Sequence, residues 1–233
     1  MMVPNLGSVL RSVFQALGVL VLVCSNVWAG SAHPNLVAWY RMEGNALDSS
    51  GAGLHGTPVG SPTVVPGRIG RGYALNGTSQ RINITGVTHA GNSHTFACWI
   101  NSAQTAPGYL ADFASGRLIF AYNINIAGTT GRIGYYDASW RDIGESPRGA
   151  WRHVAFVLDA AAGIGRVYVD GVLLGSDTYT AVDLGGTAAL GGHNSAPGEW
   201  LACNLDDVRI YNAALTPSDI RRVMHGKQPL HRY

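Results

Sequence analysis

The sequence predicts an all-β fold: two antiparallel sheets packed as a β-sandwich or jelly roll, with one short helix near the C-terminal end. Three observations lead there. About a dozen short apolar runs alternate with clusters of Gly, Pro, Asn and Asp. No βαβ alternation occurs among them. Charged residues make up only 13% of the 233-residue chain, about half of the usual ~25%, while glycine contributes 31 residues. A surface built mostly from Ser, Thr, Asn and Gly suits an exported, loop-rich β protein better than a charged cytosolic one.

The first 29 residues read apart from the rest. Arg11 is the one charge before an apolar run from Val13 to Val23, and Val27 and Ala29 stand at the −3 and −1 positions of a cleavage site. This is the pattern of a secretory signal removed after Ala29. A membrane anchor is the alternative, but the run is short for a span. The expectation is a secreted, periplasmic or cell-surface protein with no membrane span after signal removal. Net charge is +2 with no basic run, so a nucleic-acid partner is not expected. Nothing in the sequence sets the oligomeric state. Residues 36–225 read as one domain, and 226–233 as a short tail. Cys98 and Cys203 remain after cleavage. In an exported chain they are candidates for a disulfide, with a pair of buried free thiols as the alternative.

In chain order, Leu36 to Met42 reads as the first strand. Glu43 to Gly56 is a glycine-punctuated loop in which backbone carbonyls can turn inward. Pro58, Pro62 and Pro66 keep the next stretch out of helix. Tyr73 to Leu75 and Arg81 to Ile84 are short strands, and His94 to Asn101 is a strong one with Phe96, Cys98 and Ile100 on one face. Tyr109 to Phe113 and Arg117 to Asn123 form a hairpin around Ala114-Ser115-Gly116. Arg132 to Tyr136 and Trp151 to Leu158 follow, and Asp170-Gly171 between apolar runs signals a type I′ hairpin. Thr187 to Gly191 is short, and Asn204 to Asn212 closes the domain. There, period two places Asp206 with Val208 and Ile210, and Asp207 with Arg209 and Tyr211. Thr216 as N-cap and Pro217 at the first helical position start a helix reaching about His225.

The order of these motifs resembles that of LamG-like jelly-roll domains of the concanavalin A-like lectin/glucanase superfamily. The residues that carry the resemblance are Val37-Ala38-Trp39-Tyr40, Asp48-Ser49-Ser50-Gly51, Pro66-Gly67-Arg68-Ile69-Gly70, Cys98-Trp99-Ile100, Trp151-Arg152-His153-Val154, Tyr168-Val169-Asp170-Gly171 and Leu205-Asp206-Asp207-Val208-Arg209-Ile210-Tyr211. The resemblance implies a two-sheet sandwich that binds a glycan or an extracellular protein without chemistry. It also implies calcium near the first loop. Asp48 and Asp206 would then be side-chain ligands, with carbonyls around Gly53 and His55 completing an oxygen shell. The alternative is an Asx-turn at Asp48 and an arginine partner for Asp206.

A sugar site needs exposed aromatics beside planar polar groups. Tyr136, Asp137, Trp140 and Asp142 offer these in one loop, and Asn194 and Trp200 in another. The alternative is that the two tryptophans cap the sandwich, which Trp200 fits better than Trp140. Catalysis is not expected. The hydrolases that this chain resembles carry Glu-x-Asp-x-x-Glu on one strand, and here Glu43, Glu145 and Glu199 stand apart. A polysaccharide-active enzyme and a purely structural or adhesive protein are the other readings.

Overall fold

The computed structural model describes residues 33–230, apart from 90–92, 114–116, 127 and 195–197. The signal-like segment and the turn at 114–116 lie outside the described residues. The first strands are β1 (Leu36–Tyr40), β2 (Gly56–Val59), β3 (Thr63–Pro66), β4 (Arg71–Asn76) and β5 (Arg81–Thr85). Then come β6 (His94–Asn101), β7 (Gly108–Phe113), β8 (Leu118–Ile126), β9 (Thr129–Tyr136) and β10 (Trp140–Glu145). The last are β11 (Arg152–Asp159), β12 (Ile164–Val169), β13 (Val172–Thr178), β14 (Thr187–Leu190) and β15 (Ala202–Tyr211), followed by the helix α1 (Pro217–Met224).

They form two sheets, and every strand pair is antiparallel. One sheet has eight strands in the order β13-β12-β11-β6-β15-β4-β3, with β1 also paired to β15. The other has seven, in the order β10-β9-β8-β7-β14-β5-β2. This is the expected two-sheet sandwich. Alternation along each strand fills the space between the sheets. Phe96 from β6, Phe120 from β8 and Phe156 from β11 meet there, the last two with ring centroids 4.6 Å apart. All three are buried. A second apolar layer lies on the outside of the eight-stranded sheet. There Ile220 and Val223 of α1 pack on Ala97, Ala155 and Tyr211.

Local chemistry explains most boundaries. Asp170 and Gly171 have φ of 51° and 76°, the paired positive values that a type I′ turn demands. Thr216 caps α1 by accepting from the Asp219 N–H at 3.2 Å, and its hydroxyl donates to the Asp219 carboxylate at 2.8 Å. Strands β2 and β3 contain Pro58 and Pro66 and stand at the free edges of the two sheets, where a missing N–H leaves no ladder bond unmade.

Two expectations need correction. The stretch from Tyr136 to Asp142 is not a loop. Tyr136 ends β9, Trp140 begins β10, and the two are cross-strand partners around a turn in which Ala138 has φ 97°. The last strand does not keep period two. Asp207 has φ 47°, and the register with β6 slips between Asp206 and Arg209. Leu205 and Val208 both enter the core, so Asp206 lies on the outer face, opposite to Val208 and Ile210. The bulge sits where one edge of β15 changes partner: Ala202 to Leu205 pair with β4, and Val208 to Tyr211 pair with β1.

Candidate functional site

The bulge governs the outer face of the eight-stranded sheet. Asp206 and Asp207 are adjacent and would face opposite ways on a regular strand; here both line one small cavity of about 110 Å³, together with Trp39, Arg41 and Glu43. Asp207 is fully engaged. It accepts from the Trp39 indole N–H at 2.5 Å and from Arg209 at 3.1 and 3.2 Å. Arg209 is completely buried, lies 4.4 Å over the Trp39 ring, and donates to the Lys227 carbonyl at 2.9 Å. Asp206 is also buried, and its Oδ2 accepts from the Ile69 N–H at 2.7 Å. Among the described residues its Oδ1 has no hydrogen-bond partner. Burial pushes its pKa up to about 6; the Ile69 N–H opposes this and the Asp207 charge adds to it. The expected arginine partner belongs to Asp207 instead.

Asp48 serves a different purpose. Its Oδ1 accepts from the backbone N–H groups of Trp39 at 2.9 Å and Ser50 at 2.8 Å. Its Oδ2 accepts from the Ser50 hydroxyl at 2.8 Å and the Leu54 N–H at 3.1 Å. Burial raises its pKa, but these four donors outweigh that and hold the carboxyl below the usual range. His55 accepts from the Asp48 N–H through Nδ1 at 3.1 Å, and the Gly53 carbonyl accepts from the His55 N–H at 2.9 Å. The four lone-pair positions of Asp48 therefore face hydrogens, which a cation would have to displace. Asp48 pairs with Tyr40 across β1, while β15 lies on the other edge of that strand, and the cavity lined by Asp206 does not include Asp48. Asp48 and Asp206 are thus held by different partners, Asp48 by donors from Trp39 and its own loop and Asp206 by the Ile69 N–H. Among the described residues no group of three or more His, Cys, Asp or Glu side chains is placed to hold a metal.

Cys98 and Cys203 are free and buried. Ile100 faces Leu205 and Asn101 faces Asn204, so Cys203 lies level with Ser102, not with Cys98. That is an offset of about 13 Å along the strands, well beyond disulfide reach. The disulfide expectation is corrected to two separate core thiols, and burial raises the pKa of both.

The outer face of the seven-stranded sheet carries the residues expected for sugar binding. A cross-strand row runs from Trp140 through Tyr136, Ile119, Asp112 and Ala189 to Asn83. Aromatic rings lie down over it. Tyr136 and Trp140 have centroids 5.2 Å apart, Trp140 and Tyr109 6.2 Å, and Tyr109 and His193 5.8 Å. Beneath this arc Ile119 and Ala121 are buried, whereas Trp140 keeps 38% of its surface exposed. Of the expected polar partners, Asp137 is buried and tied to Arg141 at 3.0 Å and to the Thr180 N–H at 2.6 Å. Asp142 pairs with Arg132 at 2.7 Å and stays partly exposed. Asn194 donates its backbone N–H to Asp112 at 2.8 Å and its amide to Thr187 at 2.8 Å, at the far end of the arc. Trp200 packs against Gly192, where a Cβ would lie 2.8 Å from its ring, and under Arg81 at 5.4 Å. It is a corner residue. Tyr109 and His193 are the site residues that no spacing announces, because tertiary folding alone brings them to residues 136–140.

A family model described as the concanavalin A-like lectin/glucanases superfamily matches residues 76–221. No curated protein matches the sequence. Domain 4 of AbnA, a GH43 extracellular arabinanase from Geobacillus stearothermophilus solved in complex with arabinotriose, is similar with a TM-score of 0.67 at 24% identity, over 82% of this chain and 98% of that one. The receptor binding domain of botulinum neurotoxin C/D mosaic serotype is similar with a TM-score of 0.63 at 16% identity, over 82% of this chain and 51% of that one. The binding domain of Paraclostridial Mosquitocidal Protein 1 gives 0.62 at 15% identity, over 82% and 52%. The matched region therefore spans about half the length of the two toxin domains. At these identities the likeness is one of fold.

Proposed function

We propose that this chain, which belongs to the concanavalin A-like lectin/glucanase superfamily, is an exported, non-catalytic module that binds a neutral glycan across the outer face of its seven-stranded sheet. The observation that carries this reading is the arc Tyr136–Trp140–Tyr109–His193, with Trp140 exposed at 38% over a floor of buried aliphatic side chains. Aromatic faces stack on the apolar faces of sugar rings, and an arc held by its own sheet loses little freedom on binding. Neutrality follows from the charges around it. Arg141 is paired with Asp137, Arg132 with Asp142, and His193 lies 3.3 Å from Asp112. The same pairing supports binding over hydrolysis, since a glycosidase needs carboxyl groups free to face the bond. The arabinotriose held by domain 4 of AbnA is a property of that protein; it makes neutral pentose polymers a sensible part of the panel.

The test is affinity electrophoresis of the full chain in gels containing neutral polysaccharides, with arabinan among them. Retardation by at least one is expected. Trp140→Ala should weaken it roughly tenfold, and Asp48→Ala should leave the site's preference unchanged. No retardation across the panel, or release of reducing ends from any of them, would overturn the proposal.

A further inference from the structure

The opposite sheet holds a second concavity. A groove of about 730 Å³ opens on the outer face of the eight-stranded sheet, where the turn at Arg68–Ile69, the residues Trp99 and Trp151 and the end of α1 converge. This volume is in the range of small-molecule sites, roughly 300–1,000 Å³. Its walls are largely apolar: the indole of Trp151, the half-buried Met224, and Ile69, which is 38% exposed. None of its lining residues carries an amide or hydroxyl side chain. Sugar hydroxyls would find few partners there, so this is not a second copy of the arc.

The polar groups of the groove give the sign of the ligand. The Asp170 carboxylate is already engaged, by Arg152 at 2.7 Å and by the His153 N–H at 3.0 Å. Arg68 is exposed and lies 4.8 Å over the Trp99 ring, and among the described residues no carboxylate is within ion-pair distance of it. Its turn is held from below by the Ile69 N–H bond to Asp206 and by the Gly67 N–H bond to the Gly70 carbonyl at 3.0 Å. Arg41, over Trp39 at 5.6 Å in the adjoining cavity, is likewise without an ion partner. A guanidinium held over an indole keeps N–H donors for an incoming oxyanion, and a carboxylate fits the guanidinium fork with two parallel bonds.

We infer that this groove is a second ligand site, independent of the glycan arc, for a small carboxylate-bearing molecule with an aromatic or branched aliphatic body. The body lies against Trp151, Met224 and Ile69, and the carboxylate meets Arg68.

N-acetyl-L-phenylalanine and its neutral amide are the probes, titrated into the full chain labelled with 15N at its indoles. The acid should give saturable shifts at the Trp99 and Trp151 indoles and bind roughly tenfold more tightly than the amide. Arg68→Gln should bring the acid down to the level of the amide, and Trp140→Ala should change neither. Equal binding of acid and amide, absence of saturable shifts, or shifts confined to Trp140 and Trp200 would overturn the inference. Loss of polysaccharide retardation bears only on the arc, so the two proposals fail separately.

Discussion

Replacing Asp207 with alanine removes the carboxylate paired with the completely buried Arg209. Arg209 would keep the Lys227 carbonyl and the face of Trp39, and lose three hydrogen bonds of 3.1–3.2 Å. Breaking a buried pair from one side costs about 3–5 kcal/mol, because the remaining charge stays desolvated. The two surviving contacts of Arg209 place this case near the lower end, about 3 kcal/mol. A domain of this size loses about 2–4 °C of Tm per kcal/mol, so the midpoint should fall by about 10 °C. Urea unfolding of the full chain measures the free energy directly. The decisive comparison is the double variant Asp207→Ala/Arg209→Met, which removes both charges. It should be less destabilised than Asp207→Ala alone, as a coupled pair requires. A loss below about 1 kcal/mol, the size expected of an exposed pair, or strictly additive single effects, would refute the account of the bulge as an electrostatic clamp.

Asp206 gives stability the opposite pH dependence from an ordinary paired carboxylate. Its folded pKa of about 6 lies above its unfolded value, so its contribution is complete below about pH 4 and is lost as pH rises through about 6. Asp206→Asn should gain on the parent by up to about 3 kcal/mol between pH 4 and 7, measured by urea unfolding at several pH values; a pH-independent difference would contradict this. Cys98 and Cys203 should resist alkylation in the native protein and both react after unfolding without reductant, as peptide mass mapping will show; a disulfide-linked peptide would contradict the register given above. At Gly134, an added Cβ would fall on the Arg141 carbonyl oxygen. Gly134→Ala should therefore cost roughly 3 kcal/mol and abolish polysaccharide retardation, because the β9–β10 hairpin carries Tyr136 and Trp140; retained binding would detach the arc from glycan recognition.

The strands legible in the sequence are those that follow one simple rule. β6 and β11 alternate without interruption, and the β12–β13 hairpin carries its own turn chemistry in Asp170-Gly171. What is not legible depends on partners far away in the chain. Pro58 and Pro66 hide two strands that exist because a sheet edge tolerates them. The bulge at Asp207 reverses the expected facing of Asp206, and nothing local forces a non-glycine residue to φ 47°. The bulge falls where β4 gives way to β1 along one edge of β15, a pairing between segments far apart in the chain. At the arc, Trp140 and Tyr136 are legible as aromatics close in sequence and outside any core pattern, while Tyr109 and His193 join them only in three dimensions. Asp48 reads as a ligand or as a turn residue with equal ease until its four donors are seen.

The pairing of β1 with β15 also settles how the domain would answer a pull. Leu36, where β1 begins, faces Tyr211, where β15 ends. Traction applied through the flanking segments would load the ladder one rung at a time once α1 had peeled away, like a zip, instead of shearing all rungs together. A module built this way yields at low tension, and it would serve best where ligand and tether do not strain against each other.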